Sequence, residues 1–222
     1  MVYCFPKSRA ISSKQKKHCI YYMTNNIQSL LGQTDIYLVD QIMKGRYRPG
    51  DSILDAGCGG GRNLHWFLQN DFHINGIDAN EVAIENLKNQ FPELANSFRA
   101  ASLEHTPFSD DYFDHIICSA VLHFAENTGH FNAMFTELVR ILKPGGTLFI
   151  RITSDIGIEE KVRLIADGVY QIPDGSTRFL LTRKMLAVCM QQNNLSFAEP
   201  LKTVNADNVR CMSTLLLQKI VG

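Results

Sequence analysis

Ser52-Ile53-Leu54-Asp55-Ala56-Gly57-Cys58-Gly59-Gly60-Gly61-Arg62 decides the fold. A short apolar run ends in an acid and opens into glycines, and a helical pattern is expected over 63–69. That order predicts a strand, a glycine loop and a helix, the unit with which a parallel α/β sheet cradles a nucleotide-like ligand. The dinucleotide pattern G-x-G-x-x-G does not fit. Counted from Gly57 and Gly59, its third glycine falls on Arg62; counted from Gly59 and Gly61, it falls on Leu64. What is present is D-x-G-x-G-x-G, carried by Asp55, Gly57, Gly59 and Gly61. A carboxylate just before the loop repels a pyrophosphate, but it suits a ligand with an amino group and a positive sulfonium.

The flanking chain extends this reading in both directions. Upstream, Thr34-Asp35 caps a helix expected over 36–47, with Ile36, Leu38, Val39, Ile42 and Met43 on its apolar side. Downstream, a second strand over 72–77 ends at Asp78, 23 residues beyond Asp55. An acid at that strand end can accept both hydroxyls of a ribose. Asn80 caps a helix over 81–91, and 97–101 reads as a third strand. The fourth strand, 113–118, is left through Ser119-Ala120-Val121-Leu122-His123-Phe124. The ligand crevice of an open α/β sheet lies outside such carboxyl ends. An amphipathic helix over 129–142 is stopped by Lys143-Pro144-Gly145-Gly146, and a fifth strand covers 147–152. Beyond it a helix is expected over 158–167, a loop over 168–179, a helix over 183–193 and two strands over 195–204 and 209–220.

The D-x-G-x-G-x-G loop, Asp78 and the Leu-Lys-Pro-Gly-Gly turn together resemble class I S-adenosylmethionine-dependent methyltransferases. The resemblance in element order covers roughly 35–220, with the specific motifs between 51 and 150. It implies a Rossmann-like α/β fold: a doubly wound, mostly parallel seven-stranded sheet with a C-terminal antiparallel hairpin. It also implies S-adenosylmethionine as cofactor. Asp55, Ala56, Gly57, Cys58, Gly59, Gly61, Asp78 and Ala79 would hold that cofactor. Ser102 and Leu103 stand where the family meets the adenine ring, with Ser102 in place of the more usual Asp. Ser119 would face the methionine part. Methyl transfer is an in-line displacement, so alignment and exclusion of water carry most of the catalysis. His123, at the crevice mouth, is the candidate base for an acceptor hydroxyl or thiol, set against an ordinary structural histidine. Tyr37, Phe124, Arg151, Tyr170 and Arg178 are candidate acceptor contacts, the arginines for an anionic acceptor; Tyr22 and Tyr47 are further aromatic candidates. Each of these is weighed against packing or a surface ion pair.

Composition narrows the class further. The chain has 222 residues, 45% hydrophobic and 20% charged, with a formal net charge of zero. The first 34 residues hold five of the 22 bases and none of the 22 acids, leaving an acidic body. There is no basic stripe for nucleic acid and no case for a membrane partner. Cysteines at 4, 19, 58, 118, 189 and 211 have no C-x-x-C spacing, so no metal site is expected. Residues 1–22 read as a basic tail or an extension before a start at Met23, and 23–222 as one domain with its motif-rich core at 51–153 and a substrate-side segment at 154–180. The expected protein is a cytoplasmic methyltransferase acting on a small molecule. Tellurite-resistance-like enzymes are among the groups it is similar to. The rivals are an NAD(P)-dependent oxidoreductase and a non-catalytic S-adenosylmethionine-binding protein.

Overall fold

The computed structural model describes residues 27–222; the expectations about 1–22, Tyr22 and Met23 lie outside the described residues. Five strands run parallel: β1 (Ser52–Ala56), β2 (His73–Asp78), β3 (Phe98–Ala100), β4 (Phe113–Ser119) and β5 (Leu142–Thr153). A C-terminal hairpin of β10 (Lys202–Ala206) and β11 (Arg210–Lys219) adds to them, with β11 antiparallel to β5. The spatial order is β10-β11-β5-β4-β1-β2-β3. It turns back between β1 and β4, where a doubly wound sheet opens its crevice. A short β9 (Leu195–Phe197) pairs with β11 and adds an eighth strand to the expected seven. β1 and β4 are buried on both faces, as central parallel strands must be.

Of four helices, three start where the sequence places their caps, and the one expected from 129 starts one residue earlier. Asp35 accepts the Tyr37 amide at α1 (Ile36–Met43), and Asn80 accepts that of Ala83 at α2 (Glu81–Gln90). Asn127 opens α3 (Thr128–Arg140), and Thr182 opens α4 (Arg183–Gln192). Each cap satisfies an amide that the helix leaves unpaired and contributes about 1 kcal/mol. α1 is four residues shorter than expected. Leu38 and Val39 are buried on it, whereas Ile36 and Met43 face out. Tyr47 leaves the helix altogether and is buried edge-on between Phe67 and His115, at 5.0 Å from each ring. It is a core residue and does not line the cavity beside the glycine loop.

Two expected helices are absent. Over 63–69 there are turns and a single 3-10 turn, Phe67–Gln69. The Arg62 carbonyl is occupied by the Thr34 hydroxyl at 3.2 Å, and the Asn63 side chain takes the Asp35 amide at 3.1 Å. The segment thus spends polar groups on the α1 entry, while Phe67 and Leu64 are buried beneath it. Over 158–179 the chain forms a second sheet instead of a helix and loop. Its antiparallel strands are β6 (Arg163–Ala166), β7 (Val169–Gln171) and β8 (Thr177–Phe179). Asp167-Gly168 is the two-residue hairpin turn between β6 and β7, with Gly168 at φ +80°. Pro173-Asp174-Gly175 closes the second hairpin, its Asp174 carboxylate accepting from Ser176. Phe179 anchors this sheet to the main body by stacking on Phe131 of α3 at 4.8 Å. Fully burying a ring of that size contributes roughly 1.5–3 kcal/mol.

Candidate active site

Asp55, the last residue but one of β1, has only 1% of its surface exposed, and neither carboxylate oxygen has a hydrogen-bond partner among the described residues. Burial pushes its carboxyl up to about 7; Arg62 opposes that, Asp78 adds to it, and the nearby Asn63 side chain opposes it slightly. A buried acid without partners is costly unless something else completes its site. The chain then turns at Gly57, φ +80°, where the Gly57 and Cys58 amides both donate to the Ile77 carbonyl at 2.8 and 2.9 Å. A Cβ on Gly57 would sit 2.3 Å from Val121. Two loops therefore close on each other here with no room for a side chain.

Beside this turn lies a cavity of about 390 Å³. Gly57, Asp78, Ala79, Ser102, Leu103 and Phe124 are among its lining residues. The Asp78 carboxylate receives the Gly59 and Asn80 amides, both at 2.8 Å, which fixes it at the end of β2. Each oxygen keeps acceptor capacity for a further donor, and Asp78 lines the cavity. Asp55 and Ala56 are buried and do not line the cavity. The Cys58 thiol is turned into the core, where burial pushes it up, and Gly59 and Gly61 do not line the cavity.

Other lining residues carried no sequence signal. Ala120 adopts φ +65°, a conformation costly for a residue with a Cβ, and its amide is held by the Arg151 carbonyl at 2.8 Å. His130 pairs with Glu104 at 2.7 Å across the cavity rim. That α3 would bring its first turn to this rim follows from the sheet order, which no local pattern contains.

Ser119, Tyr37 and Arg151 come together in a separate cluster. At its centre is Asp35, whose side chain has no exposure. Arg151 Nη1 lies 2.5 Å from Asp35 Oδ2, Ser119 Oγ 3.4 Å and Arg62 Nη2 4.0 Å. The Arg151 guanidinium also rests over the Tyr37 ring at 5.0 Å. Asp35 therefore both caps α1 and neutralises Arg151. Only the first role was legible, because its partner is 116 residues away.

His123 lies in a 3-10 turn, Leu122–Phe124, that follows β4. Its ring is 8% exposed, and Nδ1 has no hydrogen-bond partner among the described residues. Burial, reinforced by Arg178 and Arg210, pushes its imidazole down to about 4. The His123 and Phe124 rings meet edge-on at 4.5 Å, and the Arg178 guanidinium sits over Phe124 at 5.3 Å. Tyr170 is register-paired with Arg178 across β7 and β8, so both side chains stand on one face of the small sheet. Among the described residues no group of three or more His, Cys, Asp or Glu is placed to hold a metal ion, and no helix is long and apolar enough to cross a membrane.

An orphaned buried acid, a loop that excludes side chains and a cavity edged by a fixed carboxylate fit S-adenosylmethionine. Comparison with known proteins points the same way. Residues 54–150 match the family described as a methyltransferase domain. An uncharacterized methyltransferase of Bacillus subtilis, YodH, is 32% identical over 124 residues, which is 55% of this chain and 48% of that protein. The 27-O-demethylrifamycin SV methyltransferase of Amycolatopsis mediterranei is 28% identical over 137 residues, 56% of this chain and 49% of that protein. A tRNA (carboxymethyluridine(34)-5-O)-methyltransferase of Arabidopsis thaliana is 31% identical over 103 residues, 46% of this chain and 24% of that protein. The chain thus spans about half the length, or less, of these relatives. A solved methyltransferase structure from Methanosarcina mazei superposes with a TM-score of 0.67 at 19% identity, covering 82% of this chain and 98% of that one. Residues 54–150 thus match a methyltransferase domain, and the chain has the Rossmann-like fold of solved S-adenosylmethionine-dependent methyltransferases. The dinucleotide-dependent oxidoreductase reading is set aside.

Proposed function

We propose that the protein transfers the methyl group of S-adenosylmethionine to a small-molecule acceptor at the Phe124 end of the cofactor cavity. The observation that carries this reading is the cavity itself. Its volume of about 390 Å³ is of the size that holds one small ligand, and one wall is the Gly57–Val121 closure while another is Phe124. In this reading Asp78 takes the ribose hydroxyls, and Ser102 and Leu103 flank the adenine. Asp55 compensates the positive methionine end. Ser119, beside Asp35 and Arg62, helps shape that same end.

The cofactor supplies the electrophilic methyl. The protein aligns it, excludes water and holds the acceptor in line. His123 is neutral throughout the working pH range, so it serves first as a hydrogen-bond partner for the acceptor. The relatives include one whose name specifies a rifamycin and one whose name specifies a tRNA. The zero net charge favours the former kind of acceptor, since binding a polyanion needs a basic surface. The test is incubation with methyl-labelled cofactor and, in parallel, a low-molecular-weight metabolite fraction and total tRNA. Label in metabolites supports the reading; label confined to tRNA refutes it.

A further inference from the structure

We infer that the acceptor is a small planar molecule bearing an anionic group, with its anion on Arg178, its ring against Phe124 and its methylated heteroatom beside His123. The inference rests on the small-molecule reading above and narrows it to a substrate class.

The charge inventory around the mouth selects Arg178. Arg151 is neutralised by the buried Asp35 carboxylate. Arg210 is paired with Asp174. Arg178 has no carboxylate partner among the described residues; its polar contact is the neighbouring Thr177 carbonyl at 2.7 Å. Its guanidinium instead covers an aromatic ring that is 62% exposed and that also lines the cofactor cavity. A guanidinium laid over an aromatic face presents its fork edge to a carboxylate, and the stacking holds it in place. A large exposed ring at a cavity mouth is a platform that a planar ligand would cover.

His123 supplies the independent observation. The residue is 8% exposed, its Nδ1 is unpartnered among the described residues, and its ring meets the same Phe124 ring. A buried polar atom of this kind costs free energy until a partner arrives. Its charged surroundings come from β8 through Arg178 and from β11 through Arg210, and both oppose protonation. An anion seated on Arg178 cancels the nearer opposition. The acceptor would thereby make His123 a better proton acceptor than it is in the free protein. In the step this permits, the acceptor O–H or N–H gives its proton to the His123 imidazole. The electron pair freed on the heteroatom forms the bond to the methyl carbon. The carbon–sulfur bond breaks with its pair returning to sulfur, leaving the neutral thioether, and the imidazolium then gives its proton to water.

The test uses the full chain with methyl-labelled cofactor. The acceptors are hydroxybenzoic acids, the matching uncharged hydroxybenzamides, and a low-molecular-weight cell extract split by anion exchange into retained and unretained pools. Label is expected in the acids or the retained pool. Arg178→Met should lower kcat/KM for the labelled acceptor by about 10–100-fold, mainly through KM, while Arg178→Lys loses less. Calorimetric affinity for S-adenosylmethionine should be unchanged in both variants, which shows that the domain still folds. Label confined to the amides or the unretained pool, or an Arg178→Met variant that methylates as well as the parent, overturns the anionic class and leaves the small-molecule reading standing. No label in any small-molecule pool overturns both.

Discussion

The most exacting test of the cofactor site is Asp55→Asn, read through stability as a function of pH. The Asp55 carboxyl is fully buried, and its folded-state value stands near 7 against an ordinary value of 3.8. The folded protein therefore holds a proton that the unfolded chain releases between about pH 4 and 7, so stability falls as pH rises through that window. The shift is about three units at roughly 1.4 kcal/mol each, a total cost of about 4 kcal/mol that is fully present above pH 7. By pH 5 somewhat over 1 kcal/mol of it has been lost, leaving about 2–3 kcal/mol to develop between pH 5 and pH 8. Asparagine is nearly isosteric and, like the protonated acid, is neutral and unpartnered in the same place. The advantage of Asp55→Asn over the parent should thus grow by about 2–3 kcal/mol from pH 5 to pH 8, measured by urea unfolding of the cofactor-free proteins. Other titrating groups cancel in the difference. Saturating S-adenosylmethionine should reverse the ranking at pH 8, because its ammonium and sulfonium favour the ionised acid and stabilise the parent by mass action. A pH-independent difference between variant and parent, with or without cofactor, would show that Asp55 does not carry the buried, cofactor-compensated charge argued here.

Three further perturbations address separate parts of the site. Asp78→Ala should weaken S-adenosylmethionine binding by about 10–100-fold in a calorimetric titration while costing only about 1–2 kcal/mol of stability from the lost Gly59 and Asn80 amide bonds; unaltered affinity removes Asp78 from the ribose. Gly57→Ala should cost about 1–3 kcal/mol, from its φ of +80° and a Cβ 2.3 Å from Val121, and pairing it with Val121→Ala should recover the contact part only; full recovery would mean that backbone strain plays no role. Asp35→Ala leaves the Arg151 guanidinium without its buried partner and should destabilise by about 3–5 kcal/mol, whereas Asp35→Asn combined with Arg151→Met should recover much of that in thermal unfolding; a double variant as unstable as the single one contradicts the ion-pair account.

Legibility followed the range of the interactions involved. The parallel strands, the caps at Asp35, Asn80 and Thr182 and the C-terminal hairpin rest on periodicity and neighbouring residues, and the sequence displays both. The helices expected over 63–69 and 158–167 failed for different reasons. The first had adequate local composition, but its polar groups were claimed by Thr34 and Asp35 from a distant segment. The second was a misreading of signals that were present. Asp167-Gly168 and Pro173-Asp174-Gly175 are hairpin turns, and Val162, Leu164 and Ile165 alternate with polar residues too weakly to mark strands on their own.

The same division separates the two halves of the site. The cofactor half is built from consecutive residues at the ends of β1 and β2, so its acids and its side-chain-excluding glycine appear as a spaced motif. The proposed acceptor half would be assembled from the turn after β4 and a face of β7 and β8, more than 45 positions apart in sequence (Phe124 to Tyr170). No spacing rule links those positions. Arg151 and Arg178 look alike in the sequence, and only the fold distinguishes them, by giving Asp35 to one and Phe124 to the other. A cofactor shared across a family can be held by a local pattern. In the proposed site, the acceptor is selected by a charge that the tertiary structure leaves without an ion-pair partner among the described residues, Arg178 over Phe124.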